Sequence, residues 1–141
     1  MDSVKKMIRK HNTMTIATSR KDNSSAATVF YAPTNKGDSL IFVSSSKSEH
    51  ILNSKINPNC AAAINKDGLE WEKIKGLQLK GKIELAEQKH WKTYFRRYPQ
   101  IQFSKELTIA LGKVDLYLFK ISWIRLIDNS KNFGDRKEFN L

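Results

Sequence analysis

The sequence has a single cysteine, Cys60, among its 141 residues, and it has no long hydrophobic run. One cysteine cannot form a disulfide within the chain or supply a cysteine-rich zinc site. No apolar segment is long enough to span a bilayer, and residues 1–9 lack the apolar stretch of a signal peptide. Repeats, low-complexity segments and linkers are also missing. We therefore expect a single cytoplasmic domain over residues 1–141.

Acidic residues are also scarce relative to basic ones. The chain has 25 Lys and Arg against 14 Asp and Glu, which gives a formal net charge of +11. Such a surface suits phosphate-bearing ligands, nucleic acid or an anionic membrane surface. The charge is spread along the chain and no stacking signature accompanies it. Nucleic acid is therefore the weaker interpretation.

The hydrophobic pattern predicts strands separated by short turns and a few helices. Alternating apolar and β-branched residues predict strands over 13–18, 26–32, 40–45, 60–64, 73–85 and 114–128, with a final short strand over 136–141. Helical spacing predicts helices over 3–10, 47–56, 87–98 and 100–111. Mainly antiparallel strands with a few helices predict an α+β domain, most simply a small barrel with flanking helices.

The segment 40–58 carries the clearest indication of a ligand. A buried strand leads into a hydroxyl-rich turn, a short helix and the stop at Asn57-Pro58. A helix start binds anions through free N–H groups and the positive end of its dipole. The turn adds the hydroxyl groups and the ammonium group of Ser44, Ser45, Ser46 and Lys47. Ser46 and Glu49 have capping-box spacing, which predicts Ser46 as the N-cap. Together these features predict a phosphate site.

The order of these elements resembles the FMN-binding split-barrel superfamily of the pyridoxamine 5′-phosphate oxidases, and most closely its YhbP-type branch. The resemblance runs from about residue 13 to about residue 139. It rests on the segments Ile41-Phe-Val-Ser-Ser with His50 and Asn57-Pro58, Ile74-Lys-Gly-Leu-Gln-Leu-Lys-Gly81, Tyr94-Phe-Arg-Arg-Tyr-Pro99 and Ile127-Asp-Asn-Ser-Lys-Asn-Phe-Gly134. The first two occur in varied form across the superfamily. The last two are more similar to the YhbP-type branch.

The resemblance implies a mainly antiparallel split β-barrel that forms a homodimer, with two FMN sites at the subunit interface. The isoalloxazine ring would lie along the second and third strands, against Ala27, Thr28, Val29, Phe30, Val43 and Ser44. The phosphate would lie near Ser44, Ser45, Lys47 and His50, and the fifth strand would supply Gln78 and Lys75. The residues themselves support this in one way. Strands favour bulky residues, so the alanines at 26–27 and 61–63 indicate a flat ring or a partner subunit close to the sheet.

Two departures from the oxidases bear on the chemistry. Glu49-His50 stands where the oxidases have an Arg-Lys pair, so an anion and a titratable imidazole replace two fixed cations. Protonated His50 would bind phosphate better, which predicts higher affinity below about pH 6.5. Asn132 and Gly134 stand where the oxidases carry the Arg-x-His that reads their substrate. This second departure argues against pyridoxamine phosphate as the substrate.

The sequence favours an FMN-dependent oxidoreductase that acts on an unidentified small molecule, because the flavin itself carries the chemistry. No acid, base or nucleophile stands out, and hydride transfer at a flavin does not strictly require one. One alternative is a non-catalytic flavin or haem binding or storage protein, since some split-barrel relatives bind haem. The other alternative is a basic nucleic-acid-binding barrel.

Overall fold

The computed structural model describes the whole chain, residues 1–141, which forms seven strands, five α-helices and one 3₁₀ helix. The strands are β1 (Thr13–Arg20), β2 (Asn23–Pro33), β3 (Ser39–Ser44), β4 (Cys60–Asn65), β5 (Lys75–Leu85), β6 (Asp115–Asp128) and β7 (Arg136–Asn140). The helices are α1 (Asp2–Lys10), α2 (Glu49–Ile56), α3 (His90–Arg97), α4 (Gln100–Phe103), α5 (Lys105–Leu111) and the 3₁₀ helix Trp71–Lys73.

Six of the strands form a closed antiparallel barrel. Their order is β3-β2-β1-β4-β5-β6, and a ladder between β3 and β6 closes the circle. β7 pairs with residues 123–127 of β6 and stands outside the circle. Closing the sheet removes most unpaired strand edges, which would otherwise pair with other chains. The architecture confirms the predicted α+β barrel with flanking helices.

The barrel is split between β2 and β3. The two strands pair only where residues 31–33 face residues 40–42. Residues 23–30 of β2 pair with β1 on one side and with no strand on the other, and residues 43–44 of β3 pair only with β6. Backbone N–H and C=O groups on these facing edges need partners from elsewhere. The split therefore offers two strand edges to a ligand.

The barrel interior holds the main hydrophobic core. Alternation along β1 turns Met14, Ile16 and Thr18 inward and leaves the residues between them on the outer surface. α1 packs on this core through its buried residues, Val4, Met7 and Ile8. The buried Tyr31 hydroxyl donates a hydrogen bond to the carbonyl oxygen of Ile8 at 2.6 Å. This bond ties the end of α1 to β2.

A smaller cluster lies on the outer side of the barrel wall, beneath α3. Its buried members are Ala32, Ile41, Ala86, Tyr94, Tyr98 and Leu116. Tyr98 donates its hydroxyl to the carbonyl oxygen of Tyr31, and Arg97 Nη2 donates to the carbonyl oxygens of Arg9 and His11 at 2.8 and 2.9 Å. The helix predicted over 87–98 is thus a packing element, through its tyrosines. It joins β2 to the end of α1.

Gly81 allows β5 and β6 to approach closely. An added Cβ at this position would collide with the carbonyl oxygen of Lys120 and would lie 2.9 Å from the ring of Phe119. The ladder register shifts at the same point, between Lys80 and Gly81. This β-bulge confirms the close packing or bend that a strand glycine predicts.

The start of α2 differs from the prediction. The helix begins at Glu49, two residues later than expected, and Ser48 is its N-cap. The capping box predicted for Ser46 and Glu49 is therefore wrong. A tight turn precedes the helix, in which Ser48 N–H donates to the Ser45 carbonyl oxygen at 3.1 Å and Lys47 N–H donates to Ser45 Oγ at 3.2 Å. Serine hydroxyls readily bond to nearby backbone, and here they favour the turn over an earlier helix start.

Other boundaries also move. The helix predicted to start at residue 87 begins at His90, and the helix predicted over 100–111 is two helices separated at Ser104. Ser104 has an extended backbone, and its Oγ accepts a hydrogen bond from Leu107 N–H at 3.2 Å. It thus ends α4 and caps α5, because serine is a strong N-cap residue. Every helix is either too short or too polar to cross a lipid bilayer.

Candidate functional site

The turn between β3 and α2 gathers hydroxyl groups around one imidazole. Ser44 is the last residue of β3 and is buried, and its Oγ lies 2.7 Å from His50 Nε2 and 2.9 Å from Ser48 Oγ. Ser48 Oγ also lies 3.3 Å from the same imidazole nitrogen and donates to the Ser45 carbonyl oxygen at 2.7 Å. The three side chains form one hydrogen-bonded group at the end of the split.

The N-terminus of α2 has no side-chain cap. Ser48 makes no capping hydrogen bond, because its hydroxyl group is already used within the turn. Leu52 N–H makes the first bond of the helix, to the Ser48 carbonyl oxygen at 3.0 Å. The N–H groups of residues 49–51 therefore lack intrahelical partners and carry the positive end of the helix dipole. This is the arrangement that binds phosphate in many proteins.

Two opposite charges flank this helix start. Lys47 is exposed and makes no ion pair, so its ammonium group is free to reach an anion. Glu49 is also exposed, on the first turn of α2. Its predicted fold-back onto the N-cap is not made, so its charge stays beside the site. The local field is therefore less positive than an Arg-Lys pair would give.

Burial lowers the pKa of His50 below its ordinary value of 6.5, and the carboxylate of Glu49 partly offsets this effect. The imidazole is accordingly mostly neutral at neutral pH. The pH range in which His50 gains charge in the free protein therefore lies lower than the sequence suggested. The neutral ring can still exchange hydrogen bonds with Ser44 and Ser48.

The four residues predicted from β2 do not share one face. Thr28 and Phe30 point to the outer surface and are exposed, whereas Ala27 and Val29 are half-buried and Val29 packs on the main core. Phe30 contacts the ring of Tyr98 edge-on, with 5.9 Å between ring centroids. What the four residues share is the unpaired strand edge along the split.

On the other side of the split, the two predicted β3 residues also differ. Val43 packs with the outer cluster beneath α3, so its side chain is turned away from the barrel interior. Ser44 is hydrogen-bonded to Ser48 and His50 in the turn. The predicted contact between Val43 and the ring stays a prediction.

Lys75 and Gln78 lie elsewhere in the same chain. Ser44 pairs with Asp115 at the start of β6, whereas Lys75 pairs with Asp128 at the end of that strand. Lys75 Nζ lies 3.7 Å from Asp128 Oδ2, so its charge is partly used in an ion pair. A single chain does not bring these two residues to the turn at Ser44.

Gln78 is exposed between the buried Leu77 and Leu79, so the alternation of β5 turns it outward. It shares a cross-strand row with Thr28, through Thr15 and Ala63. Three strand spacings separate Gln78 from Thr28 along this row, which is about 14 Å. Both side chains therefore face the same outer surface without meeting.

The outer surface also carries a cluster of charged side chains around Trp123 that the sequence analysis did not predict. Arg125 Nη2 lies 2.8 Å from Glu138 Oε1, and Arg125 Nη1 donates to Gln78 Oε1 at 3.4 Å. Lys80 Nζ and the Arg125 guanidinium each lie 4.9 Å from the centre of the Trp123 ring. Side chains alternate along β6, so the sequence could have predicted that Trp123 and Arg125 face the same side.

Small residues line the middle of this outer surface. Ala17 and Ala26 are exposed and face each other across β1 and β2, and the half-buried Ala61 and Ala63 continue the surface on β4. Ala62 differs, because it points into the core. A surface without protruding side chains admits a flat group or another protein at short distance.

The fold and this site define a split β-barrel with a hydroxyl-rich turn and an uncapped helix N-terminus beside its opening. The sequence profile of pyridoxamine 5′-phosphate oxidase matches residues 1–128, and the chain belongs to this family. A search of curated protein sequences gives no match.

Solved structures share the fold at low sequence identity. A conserved hypothetical protein from Mycobacterium tuberculosis aligns with a TM-score of 0.74 and 16% identity, over 92% of this chain and 85% of that one. An FAD-binding protein from Mesorhizobium loti aligns with a TM-score of 0.67 and 13% identity, over 86% and 87% of the two chains. A haem-binding protein from Mycobacterium smegmatis aligns with a TM-score of 0.71 and 16% identity, over 96% of this chain but only 57% of that protein.

Proposed function

We propose that the protein is a cytoplasmic homodimer that binds FMN at the split between β2 and β3 and uses it to oxidise or reduce a small molecule. The observation that carries this proposal is the uncapped N-terminus of α2, which lies directly after the free edge of β3. FMN has a phosphate group and a planar polar ring, joined by a ribityl chain. The turn supplies partners for the phosphate, and the strand edges supply partners for the ring.

The phosphate fits the turn. The free N–H groups of residues 49–51 and the positive end of the dipole favour a dianion. Lys47 adds a full charge with no competing carboxylate partner. The Ser45 hydroxyl group accepts from Lys47 N–H, so its own proton can be donated to the phosphate. Since Glu49 opposes these groups, we expect weaker binding than a site with two fixed cations would give.

The ring fits the strand edges. Residues 27–30 of β2 and residues 43–44 of β3 present backbone donors and acceptors that no neighbouring strand uses. An isoalloxazine ring has a matching edge of alternating N–H and C=O groups. The edge of β2 would orient the ring, and α3 excludes water from the outer side of β3 through Val43 and Trp91.

A second copy of the chain completes the site in this proposal. Gln78 and Lys75 lie too far from Ser44 within one chain, so Gln78 of the partner subunit would supply the fifth-strand contact. The flat outer surface around Ala17 and Ala63 supports this arrangement. Exposed apolar side chains at Phe30, Leu52 and Ile56 also support it, because an interface would remove them from water.

Bound FMN supplies hydride transfer, and this chain's own residues bind, orient and shield the cofactor. No carboxylate or cysteine of the turn is placed as an acid, base or nucleophile. Asn132 and Gly134 belong to the turn between β6 and β7, where Asp135 N–H donates to the Asn132 carbonyl oxygen at 2.9 Å and Gly134 N–H donates to Asn129 Oδ1 at 2.9 Å. Neither of these two positions supplies the cation or the imidazole that the Arg-x-His of the oxidases gives to a phosphorylated pyridine substrate.

We further assign the chain to the YhbP-type branch of the superfamily. Its support is the segment 94–99, in which Tyr94 and Tyr98 pack the outer cluster, and the segment 127–134, which forms the turn before β7.

A visible absorption spectrum tests the proposal. FMN is added to the purified protein, free flavin is removed by gel filtration, and the mass of the flavin-containing species is measured by sedimentation. A retained flavin band on a dimer, with one FMN per chain, supports the proposal. A protein that retains no flavin at any pH overturns it. A Soret band after addition of haemin would instead favour the haem-binding alternative, which the haem-binding neighbour suggests.

A further inference from the structure

A polar cavity lies at the end of the barrel where α1 packs, away from the turn at Ser44. Its volume is about 410 Å³, it is open to solvent, and it is bordered by α1, the loop between β4 and β5, the 3₁₀ helix and the start of β5. Its lining residues are Ser3, Lys6, Met7, Lys10, His11, Lys66, Leu69, Lys73 and Lys75. Five of the nine are lysines and none is a carboxylate. We call this space the lysine cavity.

The lysines of the cavity are largely unneutralised. Lys75 is the exception, since it pairs with Asp128. Lys6, Lys10, Lys66 and Lys73 take part in none of the four ion pairs of the structure. Like charges brought together repel each other. Lys6 and Lys10 are also four residues apart on one helix, a spacing that destabilises a helix when both charges have the same sign.

His11 reports the same positive field from inside the cavity. Burial lowers its pKa below 6.5, and the charges of Lys10 and Lys66 lower the pKa further. The two charges that act on the imidazole are Lys10 from α1 and Lys66 from the loop, and Arg97 from α3 holds the His11 carbonyl oxygen. Lys6, Lys73 and Lys75 line the same cavity. An anion in the cavity would reverse this effect.

We propose that the lysine cavity binds a small, multiply phosphorylated anion, at a site distinct from the flavin site. Four free ammonium groups suit a ligand with several negative charges. Lysine ammonium groups bind phosphate oxygens as point charges and do not need the planar geometry of a carboxylate. A space of about 410 Å³ exceeds the need of one phosphate and lies within the range of small-ligand sites.

The lysine cavity is separate from the turn at Ser44. Lys75 marks the cavity at the Asp128 end of β6, whereas Ser44 lies at the Asp115 end of that strand. Lys75 is the one lining residue of the cavity that was also predicted for the flavin site, and the test below leaves it unchanged. The inference therefore does not depend on the proposed flavin function.

Calorimetric titration with inorganic tripolyphosphate at physiological ionic strength tests the site. The test variant is Lys6→Gln/Lys10→Gln, which removes two charges from the cavity. The matched control is Lys55→Gln/Lys92→Gln, which removes two exposed charges from α2 and α3 and has the same net charge. We expect the test variant to lose at least about tenfold in affinity and the control to change less than about twofold, since roughly 1.4 kcal/mol corresponds to tenfold.

The His11 side chain supplies a second readout. Its imidazole protons are followed by NMR against pH, with and without tripolyphosphate. We expect the pKa of His11 to rise when the anion is present, because negative charge enters a field that the lysines make positive. Equal affinity loss in both double variants, an unmoved His11 titration, or no binding to the wild-type protein would each overturn the proposal. FMN retention measured on the same variants is expected to be unchanged.

Discussion

The Oγ of Ser44 and the Nε2 of His50 lie 2.7 Å apart, which links the last residue of β3 to the first turn of α2. The contact places a titratable ring beside the free end of the helix and beside the open edge of β3. Because the imidazole is half-buried, its charge depends on pH in a range that the turn itself sets. Anion binding and the stability of the turn are therefore linked through one residue.

The pH dependence of FMN binding should change in His50→Gln. The pKa of His50 is lowered in the free protein, and a phosphate beside it favours the charged ring. We expect the affinity advantage of the wild-type protein over the variant to grow as the pH falls from about 7.5 to about 5.5. Fluorescence titration of FMN measures both proteins, and the titration of the phosphate itself cancels in their ratio. A ratio that stays constant would show that His50 does not face the phosphate.

The same residue should affect stability in the absence of ligand. The pKa of His50 is lower in the folded protein than its ordinary value of 6.5, so the unfolded chain binds the proton more readily. Above pH 6.5 the ring is neutral in both states, and the difference in pKa adds to the free energy of unfolding. This contribution decreases as the pH falls from 6.5 through the pKa of His50 in the folded protein. Urea unfolding at a series of pH values should show a smaller loss for His50→Gln. Parallel curves for the two proteins would contradict this assignment.

Tyr31→Phe should loosen α1 from the barrel. The change leaves the carbonyl oxygen of Ile8 without the donor that now lies 2.6 Å away. We expect the free energy of unfolding to fall by about 1–2 kcal/mol, the usual cost of an unsatisfied buried group. Tyr117→Phe is the control, because Tyr117 is also a buried tyrosine of the core. Similar urea midpoints for the two variants would argue that the Tyr31 hydrogen bond contributes little.

Gly81→Ala should be strongly destabilising. The new methyl group would meet the backbone of Lys120, which cannot rotate away as a side chain could. We expect a loss of about 2 kcal/mol or more, as for other overpacked sites. Gly112→Ala serves as the comparison, because Gly112 has a right-handed helical backbone and its nearest neighbour lies 3.3 Å from the added Cβ. Thermal unfolding of both variants measures the difference, and equal losses would contradict the close approach at the bulge.

Ala17→Arg should disrupt the proposed homodimer. The side chain would project from the flat outer surface and add a charge to the row that contains Lys80. We expect sedimentation to show a monomer that has lost FMN. Gln88→Arg adds the same charge at an exposed position before α3 and should remain a dimer. A dimer of normal flavin content in Ala17→Arg would place the interface on another surface.

Most of the fold could be predicted from sequence because strands and helices have different hydrophobic periods. The alternation through Leu77 and Leu79 correctly turns Gln78 outward, and Gly81 marks the bulge. The start of α2 could not be predicted in the same way. Two serines compete for the N-cap within three residues, and the choice depends on the hydrogen bond between Ser44 and Ser48, which involves a residue of the preceding strand.

The site was predictable only in part. The turn at Ser44 is local in sequence, so its hydroxyl groups and His50 could be recognised together. The direction of Val43 depends on α3, which packs on it from about fifty residues further along the chain. Arg125 and Trp123 meet Lys80 through strand register, which a single sequence does not specify. The lysine cavity likewise needs the packing of α1 on the barrel end.

The central claim is that the turn between β3 and α2 holds the phosphate of FMN. The most direct test is the FMN affinity of Lys47→Ala/His50→Ala, measured by fluorescence titration beside the wild-type protein and a Lys55→Ala control. Lys47 is exposed and His50 is half-buried, so the double variant should fold with an unchanged circular dichroism spectrum. We predict that it loses FMN binding by at least about tenfold while the control keeps it. An unchanged affinity in the folded double variant would contradict the account.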